Sequence, residues 1–175
     1  MVILFRFCPT LFIVASAFTT ASASNHDTLY WSRNNRITWA DFRGAPNKGS
    51  INGATSATGI IYSYRWSNGN ILADTDAYFL RSRSWKKVNQ DLNILQHEQL
   101  HFDITRFHAL RLKRALENIR TTPANLHYAV QLVVDRIFEE KDEMQRKYDV
   151  ETRHGSRLKQ QAEWNRQLDD WISDF

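Results

Sequence analysis

The pattern of apolar and polar positions predicts two strands in the first half of the chain. Residues 54–66 and 71–85 are rich in β-branched and aromatic residues, which favour strands. Between them, Asn68 and Gly69 tolerate the positive φ of a tight turn, so the two runs predict an antiparallel hairpin. The second run ends in the polar, basic residues 81–87. We expect these residues at an exposed sheet edge, which either accepts a substrate strand or is kept soluble by its charges.

From residue 91 onward, apolar residues recur at steps of three and four, which indicates helices that are buried on one side. Residues 91–120 contain no Gly or Pro and predict the first helix, which residues 121–125 end. Asn125 is a candidate cap for a second helix, whose pattern breaks at residues 150–155, and a third helix is expected over residues 156–171. The short link makes the first two helices antiparallel neighbours. The expected fold class is α+β, with a small antiparallel sheet or hairpin followed by three helices.

The first 23 residues have the composition of a secretory signal. Arg6 gives a short basic start, an apolar stretch follows, and Ala21 and Ala23 form a small-residue cleavage site. We therefore predict a cleavable signal at residues 1–23, with an uncleaved anchor as the alternative, and a single domain at residues 24–175. The protein is expected to be exported, to the periplasm or out of the cell, without stable membrane insertion after signal cleavage.

Cysteine content and charge narrow the classes of partner. Cys8 is the only cysteine, so the predicted mature domain has no disulfide. The formal charge is +4, and the basic residues are scattered among acids. This balance supports weak attraction to anionic envelope surfaces and argues against nucleic-acid binding. The expected partner is a peptide or protein substrate. The sequence does not indicate which oligomeric state the protein has.

The first predicted helix carries the pattern H-E-x-x-H at residues 97–101. His97 and His101 lie four residues apart, so one helical face presents both imidazoles to a single ion. Imidazole ligands suit zinc, and we predict one bound Zn²⁺ ion. Such an ion lowers the pKa of water towards about 7 and polarises an amide carbonyl, while Glu98 takes the proton as general base. The alternative is a helix with two ordinary surface histidines.

A catalytic zinc ion usually has three protein ligands and an open fourth position, so a third ligand must come from elsewhere. If the first two helices are antiparallel, the end of the second returns to His97. His154 is the preferred third ligand, and Glu151 and Asp149 are the alternatives. A carboxylate that does not bind the ion is expected to accept the outer N–H of a ligating histidine. Tyr148 either donates a hydrogen bond to the oxyanion during catalysis or only closes the apolar face of its helix.

Two polar residues near the motif are excluded from the ligand set. His108 lies seven residues past His101 on an unbroken helix, a rise of about 10.5 Å, so it is expected to be a surface or second-layer histidine. Asp103 points about 200° around the helix from His101. Before the hairpin, Trp39 and Phe42 are expected to pin a loop onto the core.

Three motifs stand in order along the chain: Ile-Thr-Trp-Ala-Asp-Phe-Arg-Gly at residues 37–44, His-Glu-Gln-Leu-His-Phe-Asp-Ile at residues 97–104, and Tyr-Asp-Val-Glu-Thr-Arg-His-Gly at residues 148–155. Together they resemble a bacterial family described as predicted secreted zinc-dependent proteases, also classed as a domain of unknown function. The resemblance covers nearly all of the predicted mature chain. It implies a zinc peptidase with a zincin-like active-site helix and favours His154 as a functional residue, but it implies no substrate.

The function expected from the sequence is an exported zinc metallopeptidase that hydrolyses peptide bonds. One alternative is a non-catalytic binding or accessory protein of the envelope, in which the metal is structural or absent. A fourth protein ligand that closes the metal shell would favour this alternative. The other alternative keeps the chemistry and changes the substrate, as an amidase that acts on the peptide stems of the cell wall.

Overall fold

The computed structural model describes residues 27–88 and 91–175, so the predicted signal at residues 1–23 lies outside the described residues. The fold is α+β, with small antiparallel sheets and three α-helices, as the sequence predicts. The strands are β1 (Thr28–Tyr30), β2 (Ala54–Thr55), β3 (Thr58–Ser67), β4 (Asn70–Leu80) and β5 (Trp85–Lys86). The α-helices are α1 (Leu92–Glu117), α2 (Leu126–Thr152) and α3 (Leu158–Ser173), and short 3-10 helices cover Trp39–Asp41 and Pro123–Asn125.

β3 and β4 form the predicted hairpin and pair antiparallel along their whole length. The turn residues Asn68 and Gly69 have φ angles of 49° and 81°, which confirms the conformation that the Asn-Gly pair predicts. β1 pairs with the end of β4, so β4 is the central strand of a three-stranded sheet. The sheet therefore exposes β3 and the short β1 at its edges.

The prediction that the basic segment continues the second hairpin strand was wrong, because β4 ends at Leu80. The chain turns after Leu80, where the N–H of Ser84 donates to the carbonyl of Leu80 at 2.9 Å. Trp85 and Lys86 then form β5, which pairs with β2 in a second, two-stranded sheet. A run of strand-forming residues does not show where the chain turns, and the turn here depends on tertiary contacts.

The three helices meet at one end of the molecule. Asp91 caps α1, because its side chain accepts a hydrogen bond from the N–H of Ile94 at 3.0 Å. α2 runs antiparallel to α1, as predicted. Arg111 in the last third of α1 pairs with Glu140 near the middle of α2 at 2.7 Å, whereas His97 near the start of α1 lies 3.0 Å from Asp149 near the end of α2. None of the described helices is long and apolar enough to cross a membrane.

α2 ends later than the sequence predicts. It continues to Thr152, so the residues at 148–151 lie on a helix and not in irregular backbone. The helix ends because Arg153, His154 and Gly155 adopt left-handed φ angles of 48°, 51° and 84°. Glycine takes this conformation freely, but it costs energy at the other two positions, and such backbone occurs more often at functional sites.

Two clusters of buried apolar side chains lie on either side of α1. The larger one joins α1 to the sheet, where Phe79 and Phe102 are 0% and 1% exposed. The smaller one lies between the three helices and contains Tyr148 and Trp164, which are 0% and 6% exposed. α1 is thereby held from both sides, which fixes the position of the H-E-x-x-H residues.

The loop before the hairpin is anchored by its aromatic residues, as predicted. Phe42 is buried, and its ring contacts Phe79 with centroids 5.3 Å apart and Trp39 with centroids 5.0 Å apart. Gly44 follows, and a Cβ at this position would lie 2.8 Å from the carbonyl oxygen of Ser82. The glycine of this motif is therefore required by close backbone packing.

Candidate metal centre

His97 and His101 bring their ring nitrogens together with a carboxylate from α2. The Nε2 atoms of the two histidines are 3.1 Å apart. Asp149 places its Oδ1 atom 3.0 Å from Nε2 of His97 and 3.1 Å from Nε2 of His101. The structure thus forms a compact triangle of three possible metal ligands. The two histidines lie one turn apart on α1, and the aspartate lies near the end of α2.

The size of this triangle matches the shape of a zinc site. Bond lengths of about 2.0–2.1 Å around a tetrahedral ion place neighbouring ligand atoms about 3.3 Å apart. The three measured separations are 3.0–3.1 Å. A small outward movement of the side chains is enough to admit the ion.

The other nitrogen of His101 faces a hydrogen-bond acceptor. Gln145 donates from Nε2 to the backbone carbonyl of His101 at 2.9 Å, and this contact fixes the orientation of the amide. The Oε1 atom of Gln145 then contacts Nδ1 of His101. An amide oxygen only accepts, so Nδ1 carries the proton and Nε2 presents its lone pair to the triangle.

His97 has a similar arrangement on its inner side. Thr152 Oγ1 donates to the backbone carbonyl of Tyr148 at 2.7 Å, and it lies 3.5 Å from Nδ1 of His97. Because the hydroxyl proton is used in the first contact, the oxygen faces His97 as an acceptor. This arrangement favours the proton on Nδ1 and leaves the lone pair of Nε2 in the triangle.

Three lone pairs therefore converge on one point from Nε2 of His97, Nε2 of His101 and Oδ1 of Asp149. Three lone pairs directed at one point repel one another unless a cation lies between them. Two imidazoles and one carboxylate are a ligand set that suits zinc, with outer hydrogen bonds that orient the imidazoles. The residues present fit a zinc ion, and the three-membered group leaves a fourth ligand position open.

The acid–base properties of the group agree with this interpretation. Burial opposes ionisation of Asp149, but the hydrogen bonds from His101 and His97 outweigh it and hold the pKa of the carboxyl well below its usual value. Burial lowers the pKa of His97 by more than Asp149 raises it. At His101 burial also lowers the pKa, but Asp149 and the charge of Glu98 outweigh it, so the net pKa is raised. In the absence of a metal ion, the raised pKa favours a proton on His101 more than on His97.

His154 lies beside the compact group without being one of its three members. Its Nδ1 atom is 3.2 Å from Oδ1 of Asp149, and its side chain is 47% exposed. The centroid of its ring is 6.4 Å from that of His97. The structure brings His154 to the site. Its role as third ligand stays a prediction, and Asp149 is now a second candidate for that role.

Glu151 is turned away from the site. Its Oε2 atom accepts a hydrogen bond from Nε1 of Trp164 on α3 at 2.8 Å. Its other carboxylate oxygen lies 3.8 Å from the amine of Lys147 on the same helix. Glu151 therefore joins α2 to α3, and the structure does not bring its carboxylate to the histidines.

Tyr148 lies behind His97. It is fully buried, and the two rings stack with centroids 4.6 Å apart. Its hydroxyl lies 3.4 Å from both the backbone carbonyl of His97 and the side-chain carbonyl of Gln161, and its single proton is directed at these two acceptors. Burial raises the pKa of Tyr148, and the residue does not line the cavity at the site. This placement makes Tyr148 a support for His97 and gives its hydroxyl no contact with the cavity.

Glu98 opens onto a cavity of about 250 Å³ beside the triangle. The side chain is 4% exposed, and its Oε2 atom accepts a hydrogen bond from Ser56 at 2.6 Å. The Ser56 hydroxyl also lies 3.2 Å from the backbone carbonyl of Glu98. The cavity is lined by residues in and around β2, by the first residue of β3, by α1 and α2, and by the turn after α2: Asn52, Gly53, Ala54, Thr55, Ser56, Thr58, Ile94, His97, Glu98, His101, Lys141, Gln145, Asp149 and His154.

The two polar residues excluded by sequence lie outside the group. Asp103 faces the opposite side of α1, where it accepts hydrogen bonds from Trp31 at 2.7 Å and Gln99 at 2.9 Å. His108 is fully buried, so of the two predicted alternatives, a surface or a second-layer histidine, the first is excluded. Its Nδ1 atom donates to the carbonyl of Ile104 at 2.9 Å, and burial lowers its pKa to about 4.

The family of the chain is shown by its sequence. A model of the family DUF922, "Bacterial protein of unknown function", matches residues 31–155, which is more than half of the chain. The chain belongs to this family. No curated protein and no solved structure matches it significantly. The matched range contains H-E-x-x-H and ends at Gly155, directly after His154, so every site residue of this DUF922 protein lies inside it.

Sequence reasoning missed four residues at the DUF922 site. Gln145 and Thr152 hold the histidines, whereas Ser56 and Lys141 line the cavity. The first two share a face of α2 with Asp149, at helical spacings of four and three residues. Extending the helical period past residue 150 would have placed Gln145, Asp149 and Thr152 on one face of the helix. No sequence signal marks Ser56, which reaches Glu98 only through the tertiary fold.

Proposed function

We propose that this DUF922 protein is a zinc-dependent hydrolase that cleaves peptide bonds. The observation that carries the proposal is the convergence of three lone pairs from His97, His101 and Asp149 beside the carboxylate of Glu98. A bound zinc ion would supply a strong electrophile that lowers the pKa of water and polarises a carbonyl. We assign the third ligand to Asp149. His154, whose Nδ1 atom lies 3.2 Å from the same Oδ1 atom, would orient this carboxylate.

Glu98 is the general base of the proposed reaction. It is nearly fully buried but opens onto the cavity next to the two histidines, so a water molecule in the cavity lies within its reach. Ser56 donates a hydrogen bond to one oxygen, which orients the carboxylate and leaves the other oxygen to take a proton. The same carboxyl group can then deliver that proton to the leaving amine.

The wall formed by β2 favours a peptide as substrate. The N–H of Lys87 donates to the carbonyl of Gly53 at 2.8 Å, and Thr55 pairs with Trp85 two residues further along. Hydrogen-bonding groups alternate between the two sides of a strand, so the main-chain groups of Ala54 point away from β5 and towards the cavity. An extended peptide can add to such an edge through its own backbone.

Zinc content is the first test of the proposal. The purified chain should retain about one zinc ion after dialysis against metal-free buffer, measured by elemental analysis. Absence of zinc, even after zinc is added back, would favour a binding or accessory protein without metal. Full retention after loss of any single candidate ligand would indicate a closed, structural shell.

Hydrolysis by a Glu98→Gln variant is the second test. The variant should keep its zinc and lose roughly 10²–10⁴ of the hydrolysis rate, because the amide cannot take a proton. Casein and peptidoglycan peptide stems should be assayed in parallel, since cleavage of the stems alone would identify an amidase. The matched variant Glu151→Gln removes a carboxylate near the site and should keep both zinc and activity. Full activity in Glu98→Gln would overturn the mechanism.

Export is also a proposal. The signal predicted at residues 1–23 should be absent from protein isolated from the periplasm or the medium. N-terminal sequencing should show a chain that begins at Ser24. A chain that keeps Met1 and stays with the membrane would favour the uncleaved anchor.

A further inference from the structure

An exposed tip lies next to the cavity and carries both apolar and basic side chains. We define it as residues 46–51 and 86–88, which belong to the loop before β2 and to the end of β5. The pairing of β2 with β5 continues beyond both strands, since the N–H of Lys87 donates to the carbonyl of Gly53 at 2.8 Å. Lys87 also reaches the carbonyl of Ser50 with its amine. The two segments are therefore held side by side.

Two aliphatic side chains project from the tip. Ile51 is 91% exposed and Val88 is 82% exposed, the highest values among the large apolar residues of the described chain. The register of β2 and β5 places Val88 opposite Asn52, directly beside Ile51. Scattered exposed aliphatic residues are ordinary, but two adjacent ones at the end of a hairpin-like tip form a small apolar point.

The two segments that carry this apolar point are rich in basic residues. Residues 42–57 and 77–90 contain no Asp or Glu. The nearby carboxylates have partners of their own. Asp41 pairs with Arg81 at 2.7 Å, and Asp27 binds the N–H and the hydroxyl of Ser82. Asp91, three residues after Val88, caps α1 by accepting from the N–H of Ile94 at 3.0 Å. The remaining cations of these two segments are Arg43, Lys48, Arg83, Lys86 and Lys87.

We propose that this tip docks the protein on the surface of an anionic phospholipid bilayer. The cations are attracted by the negative surface potential of such a membrane, with about a fivefold gain in affinity for each basic residue near the surface. Ile51 and Val88 then enter the boundary between headgroups and acyl chains, where their burial adds to the attraction. No helix has to be inserted, so docking of this kind is peripheral and reversible.

Apolar side chains at the centre of the basic surface favour a bilayer over a soluble polyanion. A polyanion offers phosphate or sulfate groups to the lysines and arginines, but it has no apolar phase for Ile51 and Val88. A bilayer meets both features with one surface. Docking also places the cavity near the membrane. Residues 52–56, which line the cavity, follow Ile51 directly, and five extended residues span at most about 17 Å. The proposal does not require catalysis at the site.

Vesicle binding tests the proposal. The full chain should co-sediment with vesicles of equal parts phosphatidylglycerol and phosphatidylcholine, and much less with phosphatidylcholine alone. The double variant Lys48→Glu, Arg83→Glu should bind at least about twenty-five-fold more weakly, the product of two fivefold losses. Both side chains are exposed, so the fold should be unaffected. Ile51→Ser should weaken vesicle binding about tenfold, through the loss of buried apolar groups.

A charge-matched control separates the effect of the tip cations on vesicle binding from the effect of the net charge of the protein. Arg65→Glu, Arg120→Glu makes the same change in charge at exposed positions near the opposite ends of the hairpin and of α1, and it should bind vesicles nearly as the wild type does. Every variant carries the same N-terminal residues, so a difference in binding belongs to the substituted side chains.

Three outcomes would overturn the proposal. They are equal binding by the Lys48→Glu, Arg83→Glu variant and its control, no binding by the wild type, and unchanged binding by Ile51→Ser. Sedimentation should be repeated with long-chain polyphosphate as a soluble polyanion. Tight polyphosphate binding together with an unaffected Ile51→Ser variant would identify the tip as a polyanion site instead.

Discussion

Asp103 and Asp149 are two carboxylates on opposite sides of α1, and their surroundings differ in kind. Asp103 is surrounded by donors: Trp31, Gln99 and the guanidinium of Arg36, which lies 2.9 Å away. Burial raises the pKa of Asp103, and these donors only partly offset it. Asp149 instead faces two imidazole nitrogens whose other nitrogens are directed at acceptors.

This difference separates a structural polar network from a ligand site. The network around Asp103 is complete within the protein, because each of its hydrogen-bond contacts joins a donor to an acceptor. The group around Asp149 is complete only with an added cation. Two buried polar clusters on one helix can therefore be assigned different roles from the direction of their hydrogen bonds alone.

The largest predicted effect is the loss of zinc affinity in Asp149→Ala. A structural or catalytic zinc site binds with about 10–16 kcal/mol, so one of three ligands contributes roughly 3–5 kcal/mol, or a hundredfold or more in affinity. His154→Ala should lose only about 10–100-fold, as expected for an outer partner. Competition with a chromophoric chelator measures both. A larger loss in His154→Ala would make His154 the third ligand.

Asp103→Ala should show the opposite behaviour. It should lower the free energy of unfolding by about 2–3 kcal/mol, because the buried donors of Trp31 and Gln99 lose their acceptor. Urea denaturation in the presence of a chelator measures this change. Zinc content should stay unchanged in Asp103→Ala. Loss of zinc in this variant would mean that the two clusters are coupled.

His108 provides a buried histidine that belongs to neither cluster. Its pKa is about 4 in the folded protein and near 6.5 in the unfolded chain, so its contribution to stability is fully present above pH 6.5 and is lost as the pH falls towards 4. The loss is on the order of 2–3 kcal/mol. His108→Leu should flatten the dependence of stability on pH in this range, whereas the exposed His127→Leu should not. Urea midpoints from pH 7 to 4.5 decide between these outcomes.

The smallest predicted effect concerns the backbone that brings α2 to the histidines. Gly155 has a φ of 84°, and a Cβ there would lie 3.0 Å from Cβ of His97. Gly155→Ala should therefore lower stability by about 1–2 kcal/mol and weaken zinc binding slightly. His154→Gly removes the imidazole of this neighbouring residue and also relieves the strain of its left-handed backbone. Comparing it with His154→Ala, which keeps the strain, separates the effect of backbone strain on stability from the effect of the lost imidazole. A fully stable Gly155→Ala protein would show that the contact with His97 is not tight.

The sequence by itself determined the hairpin, the three helices and the placement of His97, Glu98 and His101 on one helical face. These features depend on local rules: turn chemistry at Asn68 and Gly69 and the periods of strands and helices. The H-E-x-x-H pair is readable for the same reason, because spacing along a helix fixes which side chains share a face.

Only the tertiary structure decided which residues complete the site. Asp149 meets the histidines, and Glu151, two residues later, turns to α3, because α2 stays helical to Thr152 and only one of its faces packs on α1. For Tyr148 the sequence left two roles open, a hydrogen bond to the oxyanion or closure of the apolar face of its helix. The same packing directs it behind His97. Ser56 reaches Glu98 across 42 residues of sequence through the pairing of β2 with β5. Contacts between distant segments depend on how whole surfaces pack, and no local pattern encodes that packing.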